Sequence, residues 1–399
     1  MTTDARKLFA ILACGSVIVT VAMGVRHGFG LFLQPMSIDL GWNREVFSLA
    51  IALQNLVWGA AQPFAGGLAD RFGAPRVIVG GALLYAAGLA LMTVSAVPIA
   101  FSLSAGLLIG LALSGVTYSV IYGVVGRSFP ENKRSQAMGM VAAAGSFGQF
   151  MMVPIEQWLI NGFGWGGALI ALAVIALIMV PMAWGLREPA RVLTAGSQTI
   201  RQALAEAFHN GSFWLLTAGY FVCGFQVVFI AIHLPAYLKD HGLAPGVAVT
   251  ALALIGLFNI IGTWSAGQLG ARLPKKYLLT GIYAMRSVVI VIFLLAPLSP
   301  LSVYVFASAM GVLWLSTIPL TNGIVAVVFG VRYLAMLGGF VFFSHQIGSF
   351  FGVWLGGLLY DRTGNYNVVW GIAIALGVFA ALINLPIREK PLARLAPAV

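Results

Sequence analysis

Charge is scarce in this chain of 399 residues: Asp, Glu, Lys and Arg together make up only 8% of it. A soluble domain of this size would carry about 25% charge. Acidic residues are the rarer sign, 11 against 22 Lys and Arg. Cysteine is almost absent, and Cys14 and Cys223 both sit inside apolar runs. That excludes a disulfide framework and suits small packing residues. There is no His-Glu-x-x-His, no Gly-x-Ser-x-Gly and no phosphate-binding Lys loop. No enzyme chemistry, metal site, cofactor or ATP-driven step is therefore expected. Gly162-Phe163-Gly164-Trp165-Gly166 mimics a nucleotide loop but follows no strand.

What is abundant is apolar surface, at 60% of residues with a mean hydropathy of +0.97. Too little polar surface remains to cover a globule in water, so lipid is the expected solvent. Continuous apolar runs fall at roughly 8–35, 45–68, 76–96, 99–126, 136–160 and 166–186, then 212–238, 246–270, 277–297, 300–329, 335–359 and 366–387. Most match the ~20 residues a helix needs to cross a bilayer. A membrane barrel would instead alternate apolar and polar residues. The run after Arg6 and Lys7 has no clear small-residue cleavage site, so it is expected to remain as an anchor. With the amino terminus inside, 17 of the 22 Lys and Arg fall on the cytoplasmic side and three, Arg44, Lys239 and Arg362, outside. This positive-inside asymmetry predicts both termini in the cytoplasm of a cell whose inner membrane holds the chain. It also accounts for the net charge of +11 without nucleic acid.

The polar stretch 187–211 is predicted to be a cytoplasmic linker with a short helix over Ile200–Phe208. It divides six helices in 1–186 from six in 212–399. The halves echo each other. Gly66-Gly67-Leu68-Ala69-Asp70-Arg71 recurs 201 residues later as Gly267-Gln268-Leu269-Gly270-Ala271-Arg272. Arg134-Ser135-Gln136-Ala137-Met138 recurs 198 residues later as Arg332-Tyr333-Leu334-Ala335-Met336. Near-equal offsets point to duplication.

The stretch from Gly66 through Gly67, Asp70, Arg71, Gly73 and Pro75 to Arg76 resembles the signature loop of the major facilitator superfamily. The resemblance covers nearly the whole chain. It implies an all-α integral membrane fold of twelve helices in two six-helix halves, with helices one, four, seven and ten lining a central cavity. It also implies that Gly67, Asp70, Arg71, Gly73 and Arg76 form a conformational latch. Ala271 replaces the acid in the second copy, so a charged latch is expected mainly in the first half. The arginine early in helix four and the Gly-Pro pair in helix five of proton-coupled drug exporters are missing: the stretches read Ala105-Gly106-Leu107 and Gly145-Ser146-Phe147. Gly28-Phe29-Gly30-Leu31-Phe32 and Asp39-Leu40-Gly41-Trp42 resemble the branch of bacterial monocarboxylate transporters and oxalate–formate exchangers. That branch often holds its substrate carboxylate with an arginine in helix eight. Here Asn259 and Thr263 stand without one, so the charge partner must lie elsewhere.

Ionisable side chains inside a span are functional candidates by default, because burying each costs roughly 2.5–3.5 kcal/mol on insertion scales. Arg26 is the first candidate for the substrate carboxylate, its planar fork matching two oxygens. A structural pair with Glu156 is the alternative. Proton coupling is assigned to His233, His345 and Glu156, while His27 and Arg286 are further intramembrane charges. Tyr118 and Tyr122, one turn apart, with Asn259, Trp314, Asn322, His345 and Gln346, are expected to wall and orient a small substrate. Packing alone would explain each of them singly. The expected function is secondary transport of a small organic anion, most simply a monocarboxylate, as proton symport or anion antiport by a monomer in the bilayer. An exporter of neutral or cationic compounds and a non-transporting membrane sensor are the rivals.

Overall fold

The computed structural model describes residues 3–187, 199–330 and 334–392, and among these every regular element is helical. Among the described residues, ten segments are long and apolar enough to cross a membrane. One of them, Ala137–Leu186, is 50 residues long. It holds two spans, because Gly164 adopts φ 67°, ψ 174° and turns the chain back on itself. Only glycine takes that conformation without strain. Arg44–Phe72, 29 residues long, supplies the twelfth span. Its polar Ser48, Gln54, Asn55 and Gln62 are all buried, so they face protein and not lipid.

Spans are numbered 1 to 12 in chain order. Span 1 comprises Thr3–His27 and Gly30–Asp39. Span 2 is Arg44–Phe72 and span 3 Ala74–Met92, joined by the tight turn at Gly73, φ 90°. Span 4 runs from Pro98–Phe101 to Tyr118–Ser128, and spans 5 and 6 share Glu131–Ala176. Span 7 is Gly211–Asp240, span 8 Pro245–Gly270 and span 9 Lys275–Leu295. Span 10 comprises Pro300–Leu313 and Thr317–Phe329, span 11 is Leu334–Thr363 and span 12 Asn367–Asn384. Proline opens spans 3, 4, 8 and 10, where its missing N–H costs nothing. The helix Ile200–Phe208 forms as expected, closed by a Thr199–Gln202 capping box.

The duplication is visible in the packing. In span 5, Gly148 lies so close to the carbonyl of Thr20 in span 1 that a Cβ would overlap it. Two hundred residues on, Gly348 of span 11 meets the carbonyl of Phe221 in span 7 in the same way. Gly24 on span 1 and Gly224 on span 7 complete the two equivalent crossings. Gly110 packs on Gln54, and its counterpart Gly311 packs on Ile255. Small residues let backbones approach where lipid gives no hydrophobic push between helices.

Spans 1, 4 and 10 are each interrupted. Span 1 breaks between His27 and Gly30, span 4 at Thr117 (φ −103°, ψ −171°) and span 10 between Leu313 and Thr317. The breaks in spans 4 and 10 occupy equivalent places in the two halves. Broken helices at this depth free backbone groups that must find partners inside the protein.

Candidate functional site

The halves meet along spans 1, 2 and 5 on one side and 7, 8 and 11 on the other. A stripe on span 2 makes much of this seam, because Ser48 and Asn55 are two turns apart and share a face. Ser48 meets Gly357 of span 11, and Gly59 accepts the side chain of Gln346 against its bare Cα.

Arg26 lies beside this seam, half-buried. Its guanidinium donates to the Asn55 Oδ1 and stands over the Trp58 ring, 4.9 Å from the centroid. Its Nε has no hydrogen-bond partner. Asn55 is oriented by donating to the Ile51 carbonyl at 2.7 Å, and Trp58 by donating to Gln62 at 2.6 Å. From Asn55 the polar chain crosses into the other half. Gln346 Nε2 donates to the Asn55 carbonyl (3.2 Å), and Gln346 Oε1 lies 3.0 Å from His345 Nδ1 and 3.4 Å from the Ser349 hydroxyl. His345 rests between Tyr220 and Phe342, with ring centroids at 4.8 and 5.7 Å. Arg26, Gln346 and His345 are thus brought together, and Asn55 and Trp58 join them. Nothing in the sequence singled out those two, because an amide and an indole inside an apolar run look like packing.

The other candidates fall into different roles. Arg286 is fully buried and committed: it donates to the carbonyls of Leu313 (2.6 and 3.2 Å) and Trp314 (2.5 Å) and to Gln226 (3.4 Å). It caps the upstream half of broken span 10, where the helix C-terminus favours a cation. Asn259 holds the same break from the other side. Its Oδ1 accepts from the Leu315 N–H (3.1 Å) and Thr263 (3.0 Å), while its Nδ2 faces Ser146 and Gln149 of span 5. His233 donates from Nε2 to the Val353 carbonyl at 2.8 Å, and its Nδ1 accepts from the Tyr366 hydroxyl at 3.2 Å. Both of its nitrogens are used. His27 donates from Nε2 to the Leu252 carbonyl at 3.1 Å, tying span 1 to span 8, with its ring edge-on to Trp314.

Trp314 is buried at the span 10 break. Tyr118 and Tyr122 pack with ring centroids 5.4 Å apart and planes tilted by 36° on the downstream half of span 4. Asn322 is exposed on the downstream half of span 10 and bonds the Ile318 carbonyl. Glu156 is fully buried against Gly28, and neither of its oxygens has a partner. Among the described residues Arg26 and Glu156 form no ion pair; Arg26 is held by Asn55 instead.

One end of the seam is shut. Arg44 grips Asp240 through two 2.7 Å bonds, donates to the Tyr366 hydroxyl (2.9 Å) and covers the Tyr360 ring at 3.8 Å. Asp361 accepts the N–H groups of Arg44 and Glu45 that open span 2, and Trp354 donates to Glu45. Gln34 adds a bond to Asp240 at 2.9 Å. Among the described residues, hydrogen bonds between the halves run from this Arg44 end to the level of Asn55 and Asn259 and stop. At the Arg76 end, a Cβ added to Gly67, Gly139, Gly267 or Gly339 would meet nothing within 4 Å. Of the expected latch, Gly73 makes the turn and Arg76 bonds the Phe72 carbonyl at 3.1 Å; the Asp70 and Arg71 side chains lie outside the described residues. Replacing Arg44 by Ala is expected to shift the population toward a state open at this end about fivefold, for a partly exposed pair worth ~1 kcal/mol. Distances between spin labels at Asn43 and Leu243 would lengthen; an unchanged distribution would show that the pair does not hold this end shut.

Comparison with known proteins agrees with this architecture. The family model for the Major Facilitator Superfamily matches residues 12–352. An uncharacterized MFS-type transporter of Bacillus subtilis (strain 168), YcxA, is 25% identical over 416 residues, covering 99% of this chain and 98% of that protein. Monocarboxylate transporter 13 of Rattus norvegicus is 26% identical, covering 92% of this chain and 86% of its own. The oxalate:formate antiporter of Oxalobacter formigenes is 22% identical, covering 99% and 93%. A solved bacterial homolog to the human lysosomal transporter Spinster, in an inward-facing and occupied conformation, superposes with a TM-score of 0.75 at 14% identity, covering 97% of this chain and 98% of that one. That likeness speaks for the fold alone.

Proposed function

The chain belongs to the major facilitator superfamily, and from this premise we propose that it is a secondary transporter of a small organic anion, most simply a monocarboxylate. The observation that carries the reading is the contrast between its two intramembrane arginines. Arg286 spends its donors on the backbone of span 10. Arg26 keeps an Nε without a partner, retains exposure, and lies where the seam stops being closed. A guanidinium with spare donors next to Asn55 and Trp58 suits a carboxylate on a short organic body. The names of the relatives, monocarboxylate transporter and oxalate:formate antiporter, lean the same way.

In this reading the halves 1–186 and 212–399 rock about the 187–211 linker. The charge asymmetry puts the Arg76 end and both termini in the cytoplasm, in a cell inner membrane. The conformation with the Arg44 end shut is then open to the inside. Tyr118, Tyr122 and Asn322 line the route with Trp314 buried behind them, and Gln346 with His345 completes the polar floor.

The test is thermal stabilisation of the purified protein by a panel of carboxylates, amino acids, sugars and lipophilic cations. A ligand present at 100 times its Kd adds about 2.7 kcal/mol to the folded state. Small carboxylates are expected to stabilise the wild type and to lose the effect in Arg26→Gln. Stabilisation by cations or neutral compounds alone would overturn the anion reading.

A further inference from the structure

Three groups were expected to compete for a coupling proton, and they differ in one respect. His233 has both nitrogens engaged, and His345 shares a tight network with Gln346 and Ser349. Glu156 is fully buried with two unpartnered oxygens. An ionised carboxylate is strongly disfavoured in a buried site with no protein donor or cation on it, so a carboxyl placed this way is a site for a proton. The placement is specific. The carboxyl fills the space that Gly28 leaves, and any side chain at that position would overlap it. Gly28 stands in the break of span 1, where the N–H groups of Phe29 and Leu31 bond back only three residues, to Arg26 and Gly28. The same break carries Arg26, two residues away. Arg26 and His27 stand within two residues of Gly28 on span 1, and Tyr85 on span 3 interacts with Glu156. Tyr85 is anchored to the Ala22 carbonyl at 3.2 Å and lies within electrostatic reach of both Glu156 and Arg26. Span 8, packed on span 5, carries no titratable residue.

We propose that Glu156 is the proton-carrying residue, and that the substrate anion and the Glu156 carboxylate compete for Arg26. This deepens the anion-transport reading and rests on it. With the span 1 break closed as described, Glu156 keeps its proton; only as the empty carrier cycles does the break loosen and admit water to Glu156. Its proton leaves to water, and the carboxylate left behind turns to the unpartnered side of Arg26. When an anion takes Arg26, Glu156 regains a proton from water and returns to the buried pocket against Gly28. One proton then moves with one monocarboxylate, and no charge is added to the membrane interior. The break in span 1 is the element both events bias.

The experiment uses wild type and Glu156→Gln in proteoliposomes with labelled pyruvate as the probe. Wild type is expected both to exchange pyruvate by counterflow and to concentrate it down an imposed proton gradient. Glu156→Gln is expected to lose gradient-driven accumulation by at least about tenfold, and counterflow, which needs no net proton movement, by far less. Accumulation at the wild-type level in Glu156→Gln would overturn the proposal, as would a wild type that exchanges pyruvate but ignores the gradient. A ligand-free measurement separates this failure from that of the anion reading. The infrared C=O band of a protonated carboxyl is expected in the wild type at neutral pH and missing in Glu156→Gln, and in Glu156→Ala should the amide misfold. Absence of that band from the wild type would overturn the proton site. A wild type that has the band but moves no carboxylate would overturn the anion reading alone.

Discussion

Uptake of a carboxylate is expected to fall about a hundredfold when Arg26 is replaced by Gln, with the protein still folded. The expectation follows from what the guanidinium does in the structure. It makes one side-chain bond, to Asn55, and stacks on Trp58, so its removal breaks little that holds helices together. A charge-assisted hydrogen bond is worth about 1.5–3 kcal/mol, and the lost pair is expected to cost roughly 2.7 kcal/mol of binding, a factor of ~100. Arg26→Lys keeps the charge and loses the fork, so an intermediate loss of about tenfold is expected. Arg286→Gln should behave differently. It would leave the Leu313 and Trp314 carbonyls at the span 10 break without their cap, and show first as lower thermal stability. Wild-type transport in a folded Arg26→Gln would remove Arg26 from the mechanism.

Gly348→Leu is expected to abolish the folded protein. The backbone of span 11 at Gly348 lies on the carbonyl of Phe221, and Gly224 of span 7 lies on the carbonyl of His345. A side chain there meets rigid backbone and cannot be relieved by turning a neighbour's rotamer. Overpacking a tolerant core costs about 1–3 kcal/mol; forcing two helices apart over their length is expected to exceed that range. Against a total stability of roughly 5–15 kcal/mol, little margin remains. Size-exclusion chromatography in detergent reads the result directly, as loss of the monodisperse peak. Gly371→Leu is the control, because a Cβ at Gly371 meets nothing within 4 Å. A monodisperse Gly348→Leu with unchanged melting would mean that spans 7 and 11 are not held as closely as described.

The membrane spans were legible from apolar length, the expected sidedness from seventeen inside charges against three, and the repeat from motif offsets near 200. These are properties of single segments or of their order, so a linear text can carry them. The break at Gly164 was legible too, since glycines stood between two runs. The interruptions of spans 4 and 10 were not: Thr117 and Ser316 are ordinary residues in apolar runs, and their bends are held by partners far along the chain. Arg286 and Asn259 reach the span 10 break from spans 9 and 8. The division of labour between the two arginines was equally hidden. Both read as intramembrane cations, and only packing decided that one meets backbone carbonyls and the other an amide and an open side. The Arg44–Asp240 clasp joins residues 196 apart, and in the sequence Arg44 read only as an outer-side charge. Sequence by itself determined which segments leave water, because transfer free energy adds up residue by residue. Tertiary structure decided which face each helix turns inward, because helix rotation depends on where glycines on two spans coincide, and that is a property of pairs.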